Sequence, residues 1–360
     1  MKPQYYFLIL VIFLFSAEES FACTAFCLHT NNEIILAKNL DWPIDEGYLF
    51  INERGINKSV LNIDTRHKYN LSWQSKYRSL TFNQFGKEFP LGGMNEQGLV
   101  VEELNTTTEK FIRDSKKHEI NEFQLVQYIL DKCQTVNEVI EQLNRLQCRP
   151  IIQQLHYLMA DRLGNVLVVE FNGCEFNFYN ANQTGFPILS NNRYNESLKY
   201  LSKFKGFGGD LPIRNRPGSN ERFVTVAHLL TASNFQSPVN YSFQILDSVK
   251  QKDTKWSIFY DIKNLTVNFK FHNCETVKIF DFKKLADLDL ISGLGGNLAD
   301  CKFVSSTGLS AVSKEENSGL IQNILLKLQQ EMQSKPDSNV FRRMADFGNQ
   351  FLRNNEKEQE

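Results

Sequence analysis

Apolar and polar positions alternate in short runs over most of this chain, and the repeat switches from two residues to nearly four at definite places. Cys23 to His29 is an apolar run that turns at Asn31-Asn32 and returns as Glu33 to Leu40. It predicts a β-hairpin, because Asn tolerates the positive φ of a tight turn. A second β region spans Ser79 to Asn105: Pro90, Gly92 and Gly93 punctuate it, Asn95 to Gly98 turns, and Leu99 to Leu104 makes a strand. Helical periods follow over Glu122 to Cys133 and Val136 to Leu146, the second opened by Thr135 and Glu138 at capping-box spacing. His156 to Asp161 and Val166 to Phe171 form a hairpin about Gly164-Asn165, with strands at Glu175 to Tyr179 and Phe186 to Ser190. Helices at Glu196 to Phe204, Glu221 to Ala232 and Tyr241 to Val249 precede strands at Trp256 to Asp261, Leu265 to Phe271 and Val277 to Phe282. Strands joined by hairpins and interrupted by helix groups predict antiparallel sheets with helices outside, an α+β layered domain.

After Asp287 the pattern changes. Ser292 to Gly296 reads as flexible and Ser305 to Ser318 as polar; Ile321 to Met332 and Val340 to Leu352 are amphipathic helices split by Pro336. The expected division is a leader over 1–22, a main domain over 23–290, and a linker with a helical extension over 291–360. That extension either packs on the body or docks a second chain.

The leader follows from Lys2, the apolar run Tyr5 to Phe15, and Ser20-Phe21-Ala22 at a signal-peptidase site. Glu18 and Glu19 stop the run short of the about 20 residues a membrane span needs. Ser20 and Phe21 do not suit a lipidation site. Cleavage after Ala22 makes Cys23 residue one, with a free α-amine of pKa roughly 7.7–8.0 beside its own thiol. Nucleophile and base then share one residue. The expected location is secreted or periplasmic, with no stable membrane insertion.

Of 360 residues, 42% are apolar and 29 are phenylalanine, enough for a sizeable core. Lys plus Arg at 40 against Asp plus Glu at 41 leaves no basic excess, which argues against nucleic acid as a partner. With Cys23 set aside, Cys27, Cys133, Cys148, Cys174, Cys274 and Cys301 suit an oxidising compartment, and their connectivity stays open. A Cys23–Cys27 bridge is sterically disfavoured. No spacing suggests a metal site.

Several separated motifs carry a resemblance. They are Cys23-Thr24-Ala25-Phe26 with Lys38-Asn39-Leu40-Asp41-Trp42, Gly93-Met94-Asn95-Glu96-Gln97-Gly98-Leu99 running on to Asn105, and Leu155-His156-Tyr157-Leu158-Met159-Ala160-Asp161. Ile188-Leu189-Ser190-Asn191, Glu221-Arg222-Phe223 and Trp256 to Asp261 follow in order. In these the chain, over roughly Cys23 to Leu285, resembles the choloylglycine hydrolase family, which includes bile salt hydrolases and penicillin V acylases. The resemblance implies the four-layer αββα sandwich of N-terminal-nucleophile hydrolases, here with a C-terminal helical extension. It also implies a cysteine amidohydrolase that takes a small-molecule N-acyl amide, uses no cofactor, and is a possible homo-oligomer.

Carried over, Cys23 attacks the amide carbonyl and its own amine moves the proton. Asp41 orients that amine, Asn105 and Asn191 supply the oxyanion hole, and Arg222 is a fixed cation near the thiol. Lys38 departs from the family, which usually has arginine there. It keeps a charge that depresses a thiol pKa but loses the planar fork. Acyl specificity is expected in the loops Trp42 to Leu71 and Thr106 to Glu119, with Phe50, Ile51 and Phe111 as an apolar acyl pocket.

Two other classes compete. One is a catalytically inactive secreted binding protein on the same fold. The other is a Cys–His hydrolase using His29, His67, His118, His156, His228 or His272, none of which stands in a recognisable signature. No Gly-x-Ser-x-Gly elbow is present.

Overall fold

Thr30 closes the first hairpin: its hydroxyl accepts the backbone N–H groups of Glu33 at 2.9 Å and Asn32 at 3.3 Å. A computed structural model describes residues 22–30, 32–62, 71–107, 110–173, 175–231, 237–274, 276–285, 293–301, 308–331 and 336–352. The expected leader through Phe21, His67, Cys174 and the stretches 286–292 and 302–307 lie outside the described residues.

In chain order the strands are β1 (Thr24–His29), β2 (Ile34–Asp41), β3 (Tyr48–Asn52), β4 (Asn57–Ser59), β5 (Ser72–Gln74), β6 (Ser79–Asn83), β7 (Pro90–Asn95), β8 (Val100–Asn105), β9 (His118–Ile120), β10 (Leu146–Cys148), β11 (Leu155–Ala160), β12 (Val166–Asn172), β13 (Glu175–Asn180), β14 (Ile188–Leu189), β15 (Thr254–Asp261), β16 (Thr266–Phe271), β17 (Lys278–Asp281), β18 (Leu294–Asn297) and β19 (Ser310–Ala311). The helices are α1 (Glu122–Lys132), α2 (Val136–Leu143), α3 (Ala181–Thr184), α4 (Tyr194–Leu201), α5 (Ser219–Leu230), α6 (Pro238–Ser248), α7 (Phe282–Leu285), α8 (Lys314–Glu331) and α9 (Ser338–Gly348). None of the described helices is long and apolar enough to cross a membrane.

Two antiparallel sheets carry the fold. One runs β14-β1-β2-β15-β16-β17 and the other β13-β12-β11-β8-β7-β6-β3-β18-β19. Strand β1 meets β8 and β11 across the interior, α5 and α6 cover the first sheet, and α1 packs on β7 and β8. The result is helix, sheet, sheet, helix.

The pleat decides which side chains enter each layer. In β2, Asn39 stands opposite Thr24 and Ser257, and its amide donates to the Leu246 carbonyl of α6 at 2.8 Å. Lys38, one residue away, therefore looks into the space between the sheets.

The structure corrects several expectations. Gly92 and Gly93 lie inside β7 rather than breaking it, because neighbouring strands crowd them. A Cβ at Gly93 would stand 2.4 Å from the Leu80 carbonyl, and one at Gly92 2.2 Å from Glu102 Oε2. The helix from Val136 ends at Leu143, and Leu146–Cys148 instead pairs in parallel with β9. The capping box is offset by one residue: Thr135 accepts from Glu138 N at 3.3 Å, while the Glu138 carboxylate accepts from Gln134 N at 2.8 Å. Gly295 and Gly296, read as flexible, pair with Phe50 and Leu49 of β3. A Cβ at Gly295 would come within 2.6 Å of the Leu49 carbonyl, so glycine permits that pairing. Cys274 and Cys301 form a disulfide, while Cys23, Cys27, Cys133 and Cys148 are free and buried.

Candidate active site

Cys23 directly precedes β1 and is 4% exposed. Thr24 pairs with Asn39 and Ala25 with Lys38, so the thiol shares the inward face of Ala25 with Lys38 on its diagonal. Its sulfur lies 4.0 Å from the Asp41 backbone oxygen. Burial pushes the thiol up to about 12, with Lys38 the strongest influence in the other direction. An undissociated thiol at neutral pH needs a base to attack.

Arg222, near the start of α5 and 1% exposed, ties the surrounding pieces together. Its Nε donates to Thr24 Oγ1 at 2.8 Å, Nη1 to the Pro217 carbonyl at 2.6 Å, and Nη2 to the Cys23 carbonyl at 3.1 Å and Asn191 Oδ1 at 2.8 Å. Only the guanidinium fork offers that many fixed donors. Asn191 in turn donates to the Asn105 carbonyl at 2.8 Å, where β8 ends beside Leu155 of β11. The strand ends that carry Cys23, Asn191 and Asn105 are thus linked by one continuous set of hydrogen bonds.

Asp41 closes β2. Its Oδ1 accepts the Thr254 hydroxyl, and its buried Oδ2 has no partner among the described residues. Burial pushes this carboxyl up to about 7, against the Thr254 bond and the Arg222 and Lys38 charges. Lys38 reaches between the sheets to Glu102 Oε2 at 2.9 Å and Glu103 Oε1 at 3.5 Å. Burial works against its charge, but the two carboxylates outweigh it and hold the ammonium above its usual range.

Cys23, Lys38, Asp41, Asn105, Asn191 and Arg222 are therefore brought together. Phe50 is not. Phe50 is buried with Val312 and Leu352, and its strand β3 stands three places from β8, roughly 14 Å away at normal strand spacing. Ile51 follows it in the same strand. Phe111 stacks on Phe171 of β12 at 6.2 Å, with the Arg149 guanidinium 5.9 Å from its ring. The expected loop after Trp42 holds β3 and β4. Of the histidines, His156 faces Glu170 at 3.3 Å and His272 faces Asp45 at 3.3 Å; no described histidine bonds to Cys23.

Glu102, Glu103, Thr254 and Tyr260 were not singled out in the sequence. The available signal was two adjacent carboxylates inside the apolar run Leu99 to Leu104, since buried charges need partners. Among the described residues no group of three or more His, Cys, Asp or Glu side chains could hold a metal ion.

Two stacked antiparallel sheets between helix layers make the αββα sandwich fold of the N-terminal-nucleophile hydrolases. A sequence model of the linear amide C–N hydrolases, choloylglycine hydrolase family, matches residues 23–283, and the chain belongs to that family. It is accordingly an enzyme acting on carbon–nitrogen bonds of linear amides. It is 23% identical over 329 residues to a penicillin V acylase of Pectobacterium atrosepticum, covering 77% of this chain and 85% of that one. It is 26% identical over 202 residues to a bile salt hydrolase/transferase of Lactiplantibacillus plantarum, covering 46% of this chain and 61% of the relative. The structure of penicillin V acylase from Agrobacterium tumefaciens superposes with a TM-score of 0.67 at 21% identity, over 81% of this chain and 98% of that one.

Proposed function

We propose that the protein is exported, loses its leader after Ala22, and works as a secreted or periplasmic cysteine amidase on a small N-acyl amide. The acyl group is of the phenoxyacetyl, bile-acid or fatty-acyl type. The freed amine of Cys23 takes the thiol proton, and Sγ attacks the carbonyl carbon. Amide N–H groups of Asn105 and Asn191 receive the developing oxyanion; Asn191 has a second N–H beyond the one given to Asn105. The tetrahedral intermediate collapses, the C–N bond breaks, and the protonated amine returns its proton to the leaving nitrogen. Water then attacks the thioester with the amine again as base, releasing the acid and the thiol. Attacking group and base are both protein atoms, so no cofactor enters.

The observation that carries this reading is Asp41 Oδ2, buried and unpartnered at the strand end beside Cys23. An ammonium formed there by cleavage completes its hydrogen bonding and compensates its charge. The family match opening at Cys23 supports the same processing point. The test is N-terminal sequencing of the exported protein, together with hydrolysis of phenoxyacetyl, bile-acid and fatty-acyl amides by wild type and Cys23→Ser. Expected are a Cys23 terminus and a loss of roughly a thousandfold or more in kcat/KM for the variant. A different terminus, or a variant that still turns over, overturns the reading.

A further inference from the structure

Glu102 sits mid-strand in β8, opposite Gly92 of β7 and Leu158 of β11, and is fully enclosed. A carboxylate in such surroundings is costly unless it is paired and hydrogen-bonded. Its head lies over Gly92, where the missing side chain makes the room: a Cβ there would sit 2.2 Å from Oε2. From that position Oε2 meets Lys38 at 2.9 Å and Oε1 accepts the Tyr260 hydroxyl. Both partners come from the facing sheet. Lys38 pairs with Ile258 and Leu36 with Tyr260, so Lys38 and Tyr260 project from adjacent strands on the same side. A lysine ammonium is a point charge on a flexible stem and, unlike arginine, does not fix its own orientation. Something else must hold it.

We propose that Glu102 is a positioning residue: it reaches across the sandwich, is itself fixed by Tyr260 and by the space at Gly92, and keeps the Lys38 ammonium on the Cys23 side, where it favours the thiolate. The inference rests on Cys23 being the nucleophile. The groups acting on the thiol are Lys38 and Asp41 of β2, Glu103 of β8 and Arg222 of α5. Those acting on Lys38 are Glu102, Glu103 and the thiol. Without Glu102, Lys38 retains only the 3.5 Å contact to Glu103.

Anchor and bystander predict opposite signs. If Glu102 were only a nearby anion, Glu102→Gln would remove negative charge, shift thiol titration to lower pH and speed alkylation at pH 7. As the anchor, its loss releases Lys38, so titration moves to higher pH and alkylation slows. Tyr260→Phe is the cleaner probe because it changes no formal charge at neutral pH. The experiment is the pH dependence of Cys23 alkylation by iodoacetamide in full-length mature protein, followed by peptide mass mapping, with circular dichroism as the check on folding. Tyr260→Phe should slow alkylation at pH 7 by about threefold to tenfold, since one unit of thiol pKa changes the thiolate fraction about tenfold. Glu102→Asp keeps the charge but falls one methylene short, and should slow it similarly. An unchanged profile in a folded Tyr260→Phe, or a downward shift in Glu102→Gln, overturns the proposal. Should Glu102→Gln fail to fold, Tyr260→Phe and Glu102→Asp decide the matter. Because the readout is thiol reactivity, a protein that alkylates as expected yet cleaves no amide would refute the proposed function and leave this inference standing.

Discussion

Asp41 has its second carboxylate oxygen unpartnered and its carboxyl pushed by burial up to about 7. An unfolded aspartate ionises near pH 3.9. Between about pH 4 and 7 the unfolded chain has therefore lost a proton that the folded chain retains, and stability falls as pH rises through that window. A chain with Cys23 still amide-linked to Ala22 should lose about 2–4 kcal/mol across it from this group. Asp41→Asn stays neutral and should remove that part of the slope. Glu122, also pushed up to about 7 by burial, contributes the same sign in every variant and cancels in the comparison. Under the proposed processing after Ala22 an ammonium stands against Asp41, which should pull its pKa down and flatten the dependence. Urea unfolding of capped, processed and Asp41→Asn proteins at pH 5 and 7.5 measures this; equal slopes in all three would mean that the amine does not meet the carboxylate. The grouping of the candidate residues was legible from motifs: Cys23, Asp41, Asn105 and Asn191 stand at or beside strand ends, Lys38 inside β2 and Arg222 in α5. The charge environment of Lys38 was not, since Glu102 and Glu103 reach it only through the facing of two sheets.

At the scale of elements, a similar division appears at α1. Its start at Glu122 was readable from the helical period, and Asn121 caps it, accepting from Gln124 N at 2.8 Å. The larger role of Glu122 was not readable, because its partners lie 29 to 31 residues further on. Its carboxylate accepts the backbone N–H groups of Ile151 at 2.8 Å, Ile152 at 2.7 Å and Gln153 at 3.2 Å, and the next residue, Gln154, accepts from Thr106 N at 3.2 Å. The helix thereby fixes the segment against which the Asn105 end of β8 rests. Glu122→Gln turns an acceptor into a donor facing these N–H groups. It should cost about 2–3 kcal/mol in urea unfolding and lower kcat/KM as Asn105 loses its support. Full activity at reduced stability would separate this segment from catalysis. The hairpins β1–β2 and β11–β12 were legible for the opposite reason: alternation and turn residues are local, as Gly164 at φ 89° illustrates. Gly92 and Gly93 misled because a glycine kept for close approach between strands looks, in sequence, like one kept for a turn.

For the whole molecule the open question is what the C-terminal segment does, and its packing gives a specific answer to test. Its first described part is not a tether but strand β18, added to β3, and Phe50 is buried against Val312 and Leu352 from the same region. Nothing local distinguishes a phenylalanine that lines an acyl pocket from one that receives a distant strand, so the pocket expectation at Phe50 had no means of seeing this contact. Alongside the links of Lys327 to Asp45 and Glu46, Asn317 of α8 makes one polar link to the body. Its Oδ1 accepts the buried Lys87 N–H at 2.8 Å, and its Nδ2 donates to Asn349 Oδ1 at 2.9 Å. Asn317→Ala leaves that backbone N–H without its partner and should cost about 1–3 kcal/mol. No hydrogen bond joins Asn317 to Cys23, Asp41, Asn191 or Arg222 among the described residues. The variant should therefore keep kcat/KM within about twofold below its melting transition, since distant sites act nearly independently. Urea midpoints and kcat/KM measured on the same preparation distinguish the cases. Lost stability with intact turnover makes the C-terminal helices a brace for the nine-stranded sheet, whereas lost turnover with intact stability would make them part of the working site.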